Sequence, residues 1–209
     1  MSSKTHRDSA TRRRNVVAAG HLGQLSVAQS ALSDPDPEVR AAALGALQRM
    51  GMLSEAELIA GLNDPDQITR RRAALLAAQS ENAQAELRQL LTDPEDAVVE
   101  VAAFACGERT DADLETVQAL TVVAVTHEDS LCREAAVAAL GSLGHPAGCE
   151  AVLTGCSDRA TVRRRAVLAL AAFEGTRVTE MLTKLTQDRD LQVRQAAEEL
   201  LAIELGEQL

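Results

Sequence analysis

The sequence predicts an all-α solenoid of about six antiparallel helix pairs preceded by an N-terminal half-repeat, wound as a right-handed superhelix. Three observations predict it. An apolar residue or Thr followed by Arg opens an Ala-rich helix at Thr11-Arg12, Val39-Arg40, Thr69-Arg70, Cys132-Arg133, Val162-Arg163 and Val193-Arg194, with Val99-Glu100 as a degenerate copy. The anchors follow one another at 28, 30, 30, 33, 30 and 31 residues, a period that suits a stacked two-helix unit. Aromatic residues make up only 1% of the chain against 46% hydrophobic, so Ala and Leu must fill the core, which suits helices that approach closely at uniform spacing.

The stretch Leu32–Gly51 (LSDPDPEVRAAALGALQRMG) shows how one unit is written. Asp34–Pro37 breaks a helix and caps the next, because proline disfavours helix at the residue before it and an Asp side chain accepts orphan backbone N–H groups. Val39 and Ala42–Leu47 pack, and Gly51 ends the helix. The following unit repeats this, with Ser54 and Glu57 spaced as a capping box and Asp66 as a second N-cap. Second helices of the units are expected at 9–22, 37–50, 67–79, 96–106, 129–143, 160–173 and 190–204. First helices are expected at about 24–32, 55–62, 82–91, 112–125, 147–155 and 177–186. The 67–79 segment is apolar on nearly all sides, so second helices are expected to be sandwiched. Gly23, Gly51, Gly107, Gly144 and Gly175 are expected at helix exits. Residues 1–9 read as a disordered basic tail, 10–205 as one continuous repeat domain, and 206–209 as a short C-terminal tail.

The pattern L-x-D-P-[DE]-x-x-V-R-x-x-A-A-x-A-L-x-x-[LM]-G resembles HEAT-like repeats of the short type first recognised in phycobilin lyases. Leu32–Gly51 matches it closely; Leu62–Ala78, Leu91–Gly107, His127–Gly144 and Cys156–Phe173 match more loosely. The resemblance covers nearly all of 11–204. It implies a HEAT/armadillo-like binding platform and says little about activity, because one fold hosts many functions. A tetrapyrrole pocket fits poorly with a chain that has no Trp, no Tyr and two Phe. The same deficit argues against the base-stacking chemistry of HEAT-like DNA glycosylases. The single His127-Glu128 pair falls short of the several pairs that HEAT-like deoxyhypusine hydroxylases use.

Charge and cysteine usage narrow the class further. The formal net charge is -10 with 25% charged residues, so a general nucleic-acid surface is not favoured, although a local basic strip remains possible. Met1–Arg14 carries five cations and one acid. Cys106, Cys132, Cys149 and Cys156 sit in apolar helical patterns rather than at disulfide spacing, and no apolar signal region follows the basic N-terminus. A cytoplasmic protein with reduced thiols, no membrane span and a monomeric state is expected. His145, Cys149 and Cys156 lack the paired short spacings of structural zinc, so no metal and no cofactor are expected. Phosphate-binding, nucleophile-elbow and zincin motifs are absent, so no catalytic residue is expected and the chain reads as a non-enzyme.

The arginines are the functional candidates. Three anchors are tripled: Arg12-Arg13-Arg14, Arg70-Arg71-Arg72 and Arg163-Arg164-Arg165. Successive helix residues are about 100° apart, so at least one Arg of each triplet faces solvent. A partner-binding ladder is expected from Arg12, Arg13, Arg40, Arg70, Arg71, Arg133, Arg163, Arg164 and Arg194. It would grip an acidic segment of a protein partner through bidentate contacts on a concave surface. Two other functions are weighed: a phosphate track for nucleic acid, and an enzyme helper such as a lyase subunit. In the bland alternative, each anchor Arg pairs with Asp34, Asp64, Asp158 or Asp188 and staples adjacent repeats.

Overall fold

The computed structural model describes residues 2–80, 83–110 and 112–204. Helices make up its regular structure, and the expected spans are met to within a few residues at nearly every element. The helices are α1 (Ser2–Leu22), α2 (Leu25–Ala31), α3 (Pro37–Arg49), α4 (Glu55–Leu62), α5 (Gln67–Ala77), α6 (Gln84–Gln89), α7 (Asp96–Gly107), α8 (Leu114–Thr126), α9 (Ser130–Leu143), α10 (Cys149–Gly155), α11 (Ala160–Ala169), α12 (Thr176–Leu185) and α13 (Leu191–Glu204). The fold is an all-α solenoid. The chain divides into two compact units, Met1–Val98 and Val99–Leu209, where one continuous domain was expected. The division falls at Val99-Glu100, the anchor at which Glu replaces Arg.

The N-terminal residues depart from expectation. Residues 2–9 belong to α1 rather than to a disordered tail. Nothing in them breaks a helix, since Pro and Gly are absent before Gly20, and Asp8 pairs with Arg12 one turn later at 3.1 Å. The expected tail at 206–209 lies outside the described residues.

Each unit is two layers of helices. In the first, α1, α3 and α5 lie side by side and α2, α4 and α6 pack against them. In the second, α9, α11 and α13 form the same kind of row, backed by α8, α10 and α12. Small side chains set the spacing. A Cβ on Gly20 would stand 2.9 Å from the Ala46 Cα, and one on Gly141 would stand 2.8 Å from the Ala169 Cα. Gly107 is the last residue of its helix, as expected, and its Cβ position is 2.6 Å from the Ala139 Cα. It is Gly for closeness to a neighbour rather than for backbone freedom. Gly144 also ends its helix, at φ +59°, returning its N–H to the Leu140 carbonyl at 3.0 Å.

The second helices are not enclosed on all sides. Val39, Ala43, Leu44, Ala46 and Leu47 of α3 are buried. Yet Leu75 of α5 is 41% exposed and Leu168 of α11 is 55% exposed. Each row therefore has one packed side and one solvent side, and the solvent side is where a ligand could lie.

Candidate functional site

The turn that starts each second helix is built around one carboxylate. Asp34, Asp64, Asp93 and Asp188 each accept the backbone N–H two residues on, at 2.8 to 3.0 Å. Such an Asx-turn fixes the chain reversal before the helix. The next acid caps the helix itself: Asp36 accepts from the Glu38 N–H, Asp66 from Ile68, and Asp129 from Leu131 and Cys132. Ser54 and Glu57 form the reciprocal capping box.

The same turn carboxylate receives the anchor arginine of the preceding repeat. Arg40 donates from Nε to Asp64 Oδ2 and from Nη2 to Asp64 Oδ1, both at 2.7 Å. Its remaining nitrogen, Nη1, donates to the Asp34 and Pro35 carbonyls of its own turn. Arg70 does the same with Asp93, Arg133 with Asp158, and Arg163 with Asp188. Arg12 makes the fork to Asp34. These are charge-assisted bidentate contacts in sites mostly shielded from water. The Arg12 fork holds the Asp34 carboxyl below the usual range, and Arg133 and Arg163 do the same for Asp158 and Asp188. For Asp64, burial opposes ionisation, but Arg40 and the Asp66 N–H outweigh it and the net shift is downward.

This geometry corrects the expected ladder. The forks of Arg12, Arg40, Arg70, Arg133 and Arg163 are turned inward, because the turn of the next repeat presents a carboxylate that matches them. Arg13 pairs with Glu38 and Arg164 with Asp190, which falls to about 2 chiefly through its hydrogen bond to Arg164. Arg194 donates to the Asp188 carbonyl at 2.7 Å. Of the nine residues, Arg71 alone is exposed with no partner among the described residues.

Reading the sequence missed two other cations as site residues. Arg72, the third member of its triplet, lies against α3. A Cβ on Gly45 would stand 2.3 Å from its Nη2 and 3.0 Å from its Nε. Arg49 reaches back toward α1, with its Nη1 3.1 Å from a Cβ position on Gly20. Gly20 packs against Ala46, the residue next to Gly45, so both guanidiniums lie over the same stretch of α3. Burial, and then the nearby Arg49 charge, push the Arg72 pKa down. No ion pair joins either residue to an acid among the described residues. The signal was present in the sequence. Arg165, the equivalent of Arg72, has Glu134 within 3.7 Å, whereas the position matching Glu134 in α3 is Ala41.

Beside these cations the solvent side of the rows carries apolar side chains. Val17 is one turn from Arg13, Leu75 from Arg71, and Leu168 from Arg164, and all three are exposed. Phe104 of α7 is 50% exposed. Elsewhere, a cleft of about 280 Å³ in the first unit surrounds the Arg40–Asp64 pair, with Leu32, Leu44 and Gly61 in its wall. A more polar cleft of about 460 Å³ lies between Gly107–Thr110 and Ser142–His145 in the second unit. His145 Nδ1 accepts from the Ala147 N–H, and burial pushes the Cys156 thiol up to about 12. Neither group is presented as a ready metal ligand.

The family described as HEAT repeats matches residues 84–163 and 117–202, which together span more than half of the chain, and a HEAT repeat also matches 25–51. The chain belongs to the HEAT-repeat family. Comparison with curated proteins yields no match. Among solved structures, this HEAT-repeat chain is similar to an engineered protein at 20% identity and TM-score 0.61, covering 88% of this chain and 97% of that one. A designed armadillo repeat protein follows at 18% identity and TM-score 0.56, over 82% and 96%. Another designed armadillo repeat protein, in complex with peptide (KR)4, gives 19% and 0.58 over 82% and 97%. At these identities the likeness is one of fold. No helix of the described residues is long and apolar enough to cross a membrane.

Proposed function

We propose that this HEAT-repeat chain is a non-enzymatic scaffold that binds an acidic segment of a protein partner on the solvent side of its second helices. One observation supports it. Five of the six anchor arginines are neutralised within the fold, while the solvent side of α3 and α5 keeps Arg71, Arg72 and Arg49 without acids, beside exposed Leu75. Cations next to apolar side chains suit a segment that mixes carboxylates with aliphatic residues. A related architecture, the designed armadillo protein, is named in complex with a basic peptide. Here the unpaired charge is itself positive, so the segment it attracts is acidic. The repeats are of the short phycobilin-lyase form as architecture, without the lyase's chemistry. The scaffold works as a cytoplasmic monomer.

The test is fluorescence anisotropy with a fluorescein-labelled peptide alternating Glu and Leu. The wild type should bind saturably at low salt, and Arg71→Glu with Leu75→Ser should weaken binding by about tenfold or more. Equal affinity of the variant overturns the reading. So does tighter binding of a labelled DNA duplex than of the peptide, since a phosphate track then describes the surface better.

A further inference from the structure

Five arginines of this fold each have a dedicated carboxylate, yet Arg49 and Arg72, seated over the same stretch of α3, have none among the described residues. Like charges so arranged repel one another and leave hydrogen-bond donors for something else. The seat is specific. Gly45 has no side chain, so the Arg72 guanidinium lies flat on α3, and Gly20 lets Arg49 come in close to α1. Ala41, Gly45 and Arg49 follow one another at one-turn intervals on α3, half-buried, buried and exposed in turn, with no acid among them. The acid nearest in sequence, Glu38, is already bonded to Arg13. The depressed affinity of Arg72 for its proton is consistent with a guanidinium that is partly desolvated and lacks a counter-charge.

We propose that Arg49 and Arg72, seated over Gly20 and Gly45, form a two-pronged notch for an oxyanion side chain of the bound segment. This rests on the scaffold reading above and adds which residues take the acidic group. Two guanidiniums without acids match two negative charges. A phosphorylated Ser or Thr, or two neighbouring carboxylates, carry that charge, and both offer planar pairs of oxygens to an Arg fork. Arg71 and Leu75 on the next helix then hold the flanking residues of the segment. The ladder forks take no part, since Asp34, Asp64 and Asp93 occupy them.

Inorganic phosphate tests the notch itself. The Nε–Hε resonances of the arginines are followed by NMR as phosphate is titrated into the full chain at low salt. The Arg49 and Arg72 signals should shift saturably while Arg40 and Arg70 stay in place. No shift at Arg72, or equal shifts at all four, overturns the proposal. Gly45→Ala is the second probe. Its methyl group displaces the Arg72 guanidinium without removing charge, and the far end of a side chain yields at little cost to stability. It should weaken phosphate binding severalfold, and unchanged binding overturns the notch. Two labelled peptides separate the sources: one with a single phosphoserine, one with paired glutamates in its place. Binding of either that is lost in Arg49→Gln/Arg72→Gln supports the notch and names its ligand. A peptide that binds the wild type and this double variant equally well leaves the scaffold reading standing and sinks the notch. If neither peptide binds the wild type, both ideas fail.

Discussion

Arg70 and Asp93 are joined by two parallel hydrogen bonds, Nε to Oδ2 at 2.7 Å and Nη2 to Oδ1 at 2.9 Å, with the carboxylate side chain only 4% exposed. The pair spans one repeat to the next, and Asp93 also closes its own turn through the Glu95 N–H. Removing the arginine leaves a shielded carboxylate without its counter-charge. Arg70→Met should therefore destabilise the protein by about 3 kcal/mol. Arg71→Met, one residue away and exposed, should stay within about 0.5 kcal/mol of the wild type. Urea unfolding decides it, and equal costs for the two variants would show that the fork is incidental.

Acid should weaken the fold before any base does. Asp34, Asp64, Asp158 and Asp188 have folded-state pKa values below the usual carboxylate value of 3.8, and Asp190 sits at about 2. A group whose pKa is lowered on folding contributes stability that is complete above its unfolded value. That stability is lost as pH falls through the folded one. Thermal midpoints should be flat from neutral pH down to about 5, then drop steeply between about 4 and 2. A linear decline from neutrality would contradict this assignment.

The glycines at close helix approaches should be intolerant in proportion to what they touch. At Gly141 a Cβ would meet the Ala169 Cβ at 2.5 Å and its Cα at 2.8 Å, so backbone must move. Gly141→Val should cost about 3 kcal/mol, at the upper end of overpacking. At Gly45 the obstacle is the tip of Arg72. Gly45→Ala should be close to neutral, since helix propensity gains up to about 1 kcal/mol. Paired chemical denaturation of the two variants is the measurement. A Gly45→Ala as damaging as Gly141→Val would mean that Arg72 cannot leave its seat.

Thiol reactivity should follow burial. Cys156 is 3% exposed with its thiol pushed up to about 12, and Cys149, partly exposed, is raised mainly by desolvation and next by Glu150. At neutral pH iodoacetamide should modify Cys149 well before Cys156, and both more slowly than free cysteine. Mass spectrometry of a timed reaction reads the order. Rapid labelling of Cys156 would show that the second unit opens more readily than its packing implies.

The fold was legible because its signals are local and repeated. Asp-Pro turns, Asp N-caps and the Val-Arg anchor each act within a few residues, and seven copies average out the errors of any one. The boundary at Val99 was marked only by a single Glu at Glu100. The pairing of the anchors was legible as an alternative, since Asp34, Asp64, Asp158 and Asp188 could be named as partners; Asp93 was not among them. What decided between staple and site was a distance across some 25 residues, which no local pattern contains. Arg49 and Arg72 were harder still. Their character comes from what Ala41 and Gly45 fail to supply, a signal visible only when the repeats are set in register and Ala41 is compared with Glu134.

The turn aspartates tie two events together. Each one shapes its own chain reversal and also receives a guanidinium from the repeat before it. Losing either partner loosens the other, so adjacent repeats within a unit share their fate through a chemical link as well as through apolar packing. The link also has a direction, from the arginine of one repeat to the aspartate of the next. Fraying that begins at Arg12 frees Asp34, and with it the turn that positions Arg40. In nearest-neighbour language, each unit is a chain of coupled two-state elements whose coupling combines apolar packing with the ion pairs at each junction. The cooperativity of the array can thus be tuned one carboxylate at a time, without altering the surface that meets a partner.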